Sequence, residues 1–407
     1  MTTRNVICLI IVIFIALISP PTHNIQVSAL NSDPTIVIDG NSELAAFASA
    51  GNGSITSPYI IENYYIEISS GVGVKISNTD QYFTLRNLTV VGEMWNATGF
   101  SFHNVKYGRI EDSVANTASG FNLDSSNHNT LSHNLVINCR SGFHLLHSNY
   151  NLLLHNSVTN SSNGRYLPVG FSVVESNYNL LSHNIANNLT FGFDLTRSYY
   201  NNMTFNIATN NQEFGFWLYN SYYNLVSQNT AINNSFSGFK LSYGESNRLL
   251  NNIATGCGTG FRLFESWGNI LTSNNATNNH YSGFDLDHYC SNNILTSNHA
   301  NKNSVGISVF GSNDNLFFNN TATDNLRYGF YLLNSDKNLL INNEANNNHI
   351  FGFYLDDRSN NNLLTDNNGT IFVFGLVKNY IDIFLLIVVL ILFLGALVLV
   401  HKWTKNQ

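Results

Sequence analysis

The chain has 407 residues, a net charge of −7 at pH 7 and only 11 % charged residues, well under the roughly 25 % of an average soluble domain. No basic run offers a footprint for phosphates, which excludes a nucleic-acid binder. Asparagine fills 68 positions and proline five; this works against a helical domain, while 43 % hydrophobic and 13 % aromatic residues exclude a disordered one.

In chain order, residues 6–18 form an apolar run behind Arg4, too short to span a bilayer. Val27-Ser28-Ala29 then supplies a small-residue cleavage site, so residues 1–29 read as a secretory signal peptide. Residues 30–54 read as an N-terminal cap, with an amphipathic helix pattern over 41–49 and Asn41 or Ser42 as its N-cap. The repeats described next occupy 55–370, and a juxtamembrane segment, 371–380, follows. Residues 381–400 are apolar except for Asp382, long enough for a transmembrane helix. Lys402 and Lys405 in the 401–407 tail place that tail in the cytoplasm and the bulk of the chain outside it, on a single-pass anchor.

One motif dominates the interior. Gly-aromatic-x-aliphatic recurs at Gly99, Gly120, Gly142, Gly170, Gly192, Gly215, Gly238, Gly260, Gly283, Gly306, Gly329 and Gly352, at steps of 21 to 23 residues apart from one of 28. Gly73-Val74-Lys75-Ile76 is a weaker first copy. Each copy is followed by Asn-x-apolar-x-x-Asn, as in Asn129-x-Leu131-x-x-Asn134 and Asn179-x-Leu181-x-x-Asn184, and then by an alanine such as Ala186, Ala208 or Ala231. Three short strand-like pieces per period of about 23 residues, separated by Asn/Ser/Gly corners, predict one coil of a parallel β-helix. A leucine-rich repeat is excluded, because its helical segment and Leu spacing are missing. In such a coil Phe and the aliphatic two residues on both point inward. Stacking places Phe over Phe and Asn over Asn, and corner asparagines tolerate left-handed backbone while bonding the coils above and below. About thirteen coils give a rod of roughly 60 Å.

These Gly-Phe-x-Leu and Asn-x-Leu-x-x-Asn repeats resemble the NosD-type (CASH) right-handed parallel β-helix proteins over about residues 55–367. The resemblance implies an all-β, right-handed parallel β-helix. It also implies one of the settings in which such proteins occur: secreted carbohydrate-binding or sugar-hydrolysing proteins, or the periplasmic NosD accessory protein linked to copper-site maturation.

Chemistry is expected on outward positions. The residue between Phe and the aliphatic gives, coil after coil, Asp194, Trp217, Lys240, Arg262 and Asp285, with Asp287 two residues on. Carboxylates there serve as acid, base or metal ligand, and Lys or Arg neutralises a uronate. Tyr150, Tyr178, Tyr200 and Tyr223 share another position and form a candidate glycan platform with Trp217; Tyr166, in the insertion behind the 28-residue step, would edge it. His133, His155 and His183 share a third position, where stacked imidazoles are candidate ligands for Cu or Zn. No cofactor is required by the pattern; Ca or Cu are the candidates. The residues admit three functions: binding of polysaccharide or a surface protein, cleavage of an acidic glycan by a lyase or hydrolase, and metal-site assembly. Cys139, Cys257 and Cys290 give no clear bridge, and ten Asn-x-Ser/Thr sequons permit glycosylation.

Overall fold

The computed structural model describes residues 32–92, 94–161 and 167–373. The chain winds so that every third strand returns to the same sheet, giving three parallel sheets of 15, 14 and 12 strands. We call them A, B and C. One coil illustrates all: Phe214–Tyr219 lies in sheet A, Leu225–Ser227 in sheet B and Thr230–Ile232 in sheet C. Registers are continuous; Phe193 pairs with Phe216 and Phe216 with Phe239. A one-residue slip would turn every side chain to the opposite face, and buried Phe, Leu, Val and Ala columns forbid it.

The core is a set of vertical stacks. Phe100, Phe121, Phe143, Phe171, Phe193, Phe216, Phe239, Phe261 and Phe284 are fully buried and stack with centroids 4.5–4.9 Å apart and planes within 8°. Each buried ring is worth about 1.5–3 kcal/mol by area, plus about 0.5–1.5 kcal/mol per aromatic pair. Ile307 interrupts the stack, which resumes at Phe330 and Phe353.

Asparagine has two separate jobs here, where the sequence suggested one. The corners themselves are left-handed, as at Tyr223 (φ 57°), Gln228 (φ 56°) and Asn233 (φ 53°), and they are occupied by Tyr, His, Gln and Ser as well as Asn. The hydrogen-bonding asparagines sit one residue past the corner and point inward. Asn224, Asn229 and Asn234 are at most 1 % exposed. In one ladder Asn206 Nδ2 donates to Asn229 Oδ1 at 3.0 Å, and Asn229 Nδ2 to Asn252 Oδ1 at 3.1 Å. A buried amide with every donor and acceptor used closes each bend without orphaned backbone groups. A parallel ladder of serines, including Ser176, Ser198 and Ser221, does the same with hydroxyls.

Cys139, Cys257 and Cys290 are buried free thiols, and the last two replace ladder members. Cys257 accepts from Asn234 Nδ2 at 3.8 Å and donates its N–H to Asn279 Oδ1. The Cys290 N–H donates to Ser312 Oγ in the serine ladder. Burial raises all three thiols, Cys139 and Cys290 to about 12, so they stay protonated and unreactive.

The expectation of a β-helix carrying a transmembrane helix is corrected. Among the described residues the only helix is Asn41–Phe47, seven residues, and no helix is long and apolar enough to cross a membrane, which takes about 20 residues. The segments 1–29 and 381–400, on which the leader and the anchor rested, lie outside the described residues, as does Tyr166. The short helix begins after Gly40 without a side-chain cap; instead Glu43 reaches back and accepts the Asp39 N–H at 2.7 Å.

Candidate functional site

Sheet A positions one strip of outward side chains by register alone. Asp194 pairs with Trp217, Trp217 with Lys240, Lys240 with Arg262, and Arg262 with Asp285. Asp287 lies beside Asp285, pairing with Phe264 on the rung below. Five of the residues expected to carry chemistry thus occupy five consecutive rungs, spaced about 4.8 Å.

At the upper end Arg262 bridges two carboxylates. Its Nη2 donates to Asp287 Oδ2 at 2.6 Å, while Nε lies 3.4 Å from Asp285 Oδ2 without hydrogen-bond geometry. His288, which sequence reasoning passed over, places Nδ1 2.5 Å from Asp287 Oδ1. The signal is present as Asp-x-Asp-His, whose last residue follows the strand at a left-handed corner (φ 53°). Burial pushes the Asp285 carboxyl up to about 6, with Arg262 acting against that rise.

The middle of the strip is aromatic and cationic. Lys240 Nζ lies 4.4 Å from the Phe214 ring centre and 5.8 Å from that of Trp217, a cation–π arrangement. Burial lowers its ammonium, with Arg262 adding to the effect and Glu213 and Asp287 opposing it. Further up the face, Tyr328 and Tyr331 stack at 4.6 Å, and Tyr354 stacks on Phe372 at 5.4 Å. Aromatic groups therefore flank the charged cluster on both sides.

Asp194 closes the lower end. Burial pushes its carboxyl up to about 6, although the Thr196 hydroxyl donates to it at 3.0 Å. The folded state thus favours the protonated acid. That contribution to stability is complete below the unfolded value of 3.8 and is lost as pH rises through about 6. Asp194→Asn is expected to raise the thermal midpoint at about pH 7.5 and to change it far less at about pH 4.5. An equal shift at both would remove the buried carboxylate as its cause. A carboxylate kept where it costs stability is a mark of a functional position.

The other two columns form, but with a particular geometry. Tyr150, Tyr178, Tyr200 and Tyr223 are about half exposed and stack on one another at 5.0–5.1 Å, with Tyr82, Tyr107 and His128 extending the row below. Because each ring covers its neighbour, the row offers edges and hydroxyls rather than faces. His133, His155 and His183 stack at 5.0 and 4.7 Å. Imidazole lone pairs lie in the ring plane, so stacked rings aim them side by side, not at one point. Burial and the two flanking imidazoles lower His155, which favours the neutral form of that ring. Among the described residues no group of three or more His, Cys, Asp or Glu is placed to hold a metal ion.

The pattern of the family described as a right-handed β-helix region matches residues 69–231, 167–299, 214–325 and 249–382, which spans well over half of the chain. The chain belongs to the right-handed β-helix family. No curated protein sequence matches it. Among solved structures, this β-helix resembles a double mutant of the periplasmic alginate epimerase AlgG, with TM-score 0.55, 14 % identity and coverage of 76 % of this chain and 85 % of that one. It also resembles the catalytic domain of a GH87 alpha-1,3-glucanase in complex with tetrasaccharides, with TM-score 0.51, 12 % identity and coverage of 86 % and 70 %. At such identities the likeness concerns the fold.

Proposed function

We propose that the outer face of sheet A binds a linear acidic polysaccharide laid along the rod axis, outside the cytoplasm. The observation that carries this reading is the run of Trp217, Lys240, Arg262 and Asp285 on four consecutive rungs. Among the described residues Lys240 forms no ion pair, and its ammonium is held over the Phe214 ring, so its charge is available to a sugar carboxylate. Trp217, Tyr331 and Tyr354 supply apolar surface for sugar rings. Both structural relatives just described are, by their names, polysaccharide-acting enzymes, which supports a glycan as ligand. Lys240→Met is expected to weaken binding of alginate or polygalacturonate oligomers about tenfold by calorimetry, equal to about 1.4 kcal/mol. Added salt should weaken the wild type more than the variant. Unchanged affinity and salt response in the variant would end this assignment.

A second reading, cleavage of that glycan, is favoured by one observation: Asp285 holds its proton up to about 6 beside an Asp287–His288 pair and the Arg262 cation. That set can carry a proton and balance developing charge. Incubation with the same polymers would yield new reducing ends for a hydrolase, or an ultraviolet-absorbing unsaturated product for a lyase. Asp285→Asn should abolish either, and binding without products leaves the first reading standing alone.

A further inference from the structure

Sheet B carries a second surface of different chemistry. Its outward floor is built from the strands Leu152–Leu154, Leu180–Ser182, Asn202–Thr204 and Leu225–Ser227. Two ridges of left-handed corner residues rise beside it, the tyrosine row on one side and His133, His155, His183 and Phe205 on the other. Ser182 points outward, yet it is only 8 % exposed while Tyr178 is 49 % exposed. Leu152, at the lower end, is 38 % exposed; from Leu180 to Ser227 the outward floor residues are buried or half-buried, so the floor lies lower than the ridges there.

Three properties define what fits there. First, the outward residues of these strands and ridges include no Asp, Glu, Lys or Arg; charged residues enter the floor columns at Arg109, Glu111, Arg86 and Glu62 below and at Arg248 above. Second, both ridges repeat once per rung, at 5.0–5.1 Å for the tyrosines and 4.7–5.0 Å for the other ridge. Third, the acceptor Asn202 Oδ1 in the floor and the donor Arg248 Nε on the rung above it are buried without a partner; unmet groups of both kinds favour a ligand that carries donors and acceptors over one that carries neither. An extended peptide would find no main-chain partners, because the backbone groups of the floor strands are paired between coils. A sugar chain carries hydroxyls on every unit and needs none.

We infer that the sheet B channel binds an extended, uncharged polysaccharide, one sugar unit per rung, independently of the sheet A strip. Tyrosine hydroxyls and imidazole nitrogens line its sides, and leucines such as Leu180 and Leu225 meet its apolar ring hydrogens.

Calorimetry of the full chain with cellohexaose, chitohexaose and xylohexaose tests this, with hexagalacturonate as the charged probe. At least one neutral oligomer is expected to bind. Replacing Tyr150, Tyr178 and Tyr200 together by Asn removes the rings but keeps residues that accept left-handed backbone, and should weaken that binding at least tenfold. Leu180→Glu, which leaves every corner intact, should do the same. Lys240→Met should leave it unchanged, separating this channel from the sheet A reading. The inference is overturned if no neutral hexamer binds, if both channel variants bind as the wild type does, or if hexagalacturonate displaces the neutral oligomer.

Discussion

Replacing Asn229 by Ala is expected to cost on the order of 4 kcal/mol, a large loss for a single buried polar side chain. Asn229 Oδ1 accepts the backbone N–H of Asn206 at 2.8 Å, and its Nδ2 donates to the Met203 carbonyl at 2.9 Å. Alanine leaves the Asn206 N–H buried without a partner, at about 1–3 kcal/mol, removes the amide hydrogen bonds to the Met203 carbonyl, Asn206 and Asn252, and adds a small void. Urea denaturation would read the loss as a lower midpoint, and exchange of the Asn206 amide would show it locally, where a repeat array need not unfold as one unit. The same change at Asn367, on the half-buried last rung of that ladder, should cost much less because water can reach the freed groups. Equal effects at both positions, or a loss under about 1 kcal/mol at Asn229, would show that the ladder does not hold the coils.

Gly215→Ala is expected to be as damaging for a different reason. A Cβ there would meet the Gly238 carbonyl oxygen at 2.6 Å and Asn234 Nδ2 at 2.8 Å. The first obstacle is backbone of the next coil and cannot rotate away, so the cost should reach or exceed the roughly 1–3 kcal/mol of ordinary overpacking. Gly71 is the control. Its φ is +83°, but nothing lies within 4 Å of an added Cβ, so Gly71→Ala carries only left-handed strain, about 1–2 kcal/mol. Thermal melts of the two variants should therefore separate clearly. If Gly71→Ala proves the worse, close approach does not explain the glycine of the repeat.

How much of this could be read from sequence follows from the physics of stacking. The Phe, Asn and Tyr columns were legible because a parallel coil turns a fixed spacing into a vertical contact. Asp194, Trp217, Lys240, Arg262 and Asp285 fell on neighbouring rungs for the same reason. The glycine's role was hidden, since Gly215 sits on a strand and is excluded from carrying a side chain by a coil 23 residues away. The serine ladder was passed over although Ser176, Ser198 and Ser221 each precede a ladder asparagine by three residues; serine is too common at turns for that spacing to stand out. His288 and the way Arg262 divides itself between Asp285 and Asp287 depend on side-chain angles, which spacing does not encode. The thiols are similar: only the ladders show Cys257 standing in for Asn and Cys290 for Ser.

The continuous register from rung to rung also makes the rod a ruler. The separation between Asp194 and Asp285 is a whole number of coils, so it changes only in steps of about 4.8 Å. Deleting one complete repeat, such as residues 238–259, would bring the two carboxyls one step closer and leave every column in line. A deletion of any other length would misalign three sheets at once. Gene segments of this period can be gained or lost without redesign, and the length of the rod is then set by how many copies it keeps.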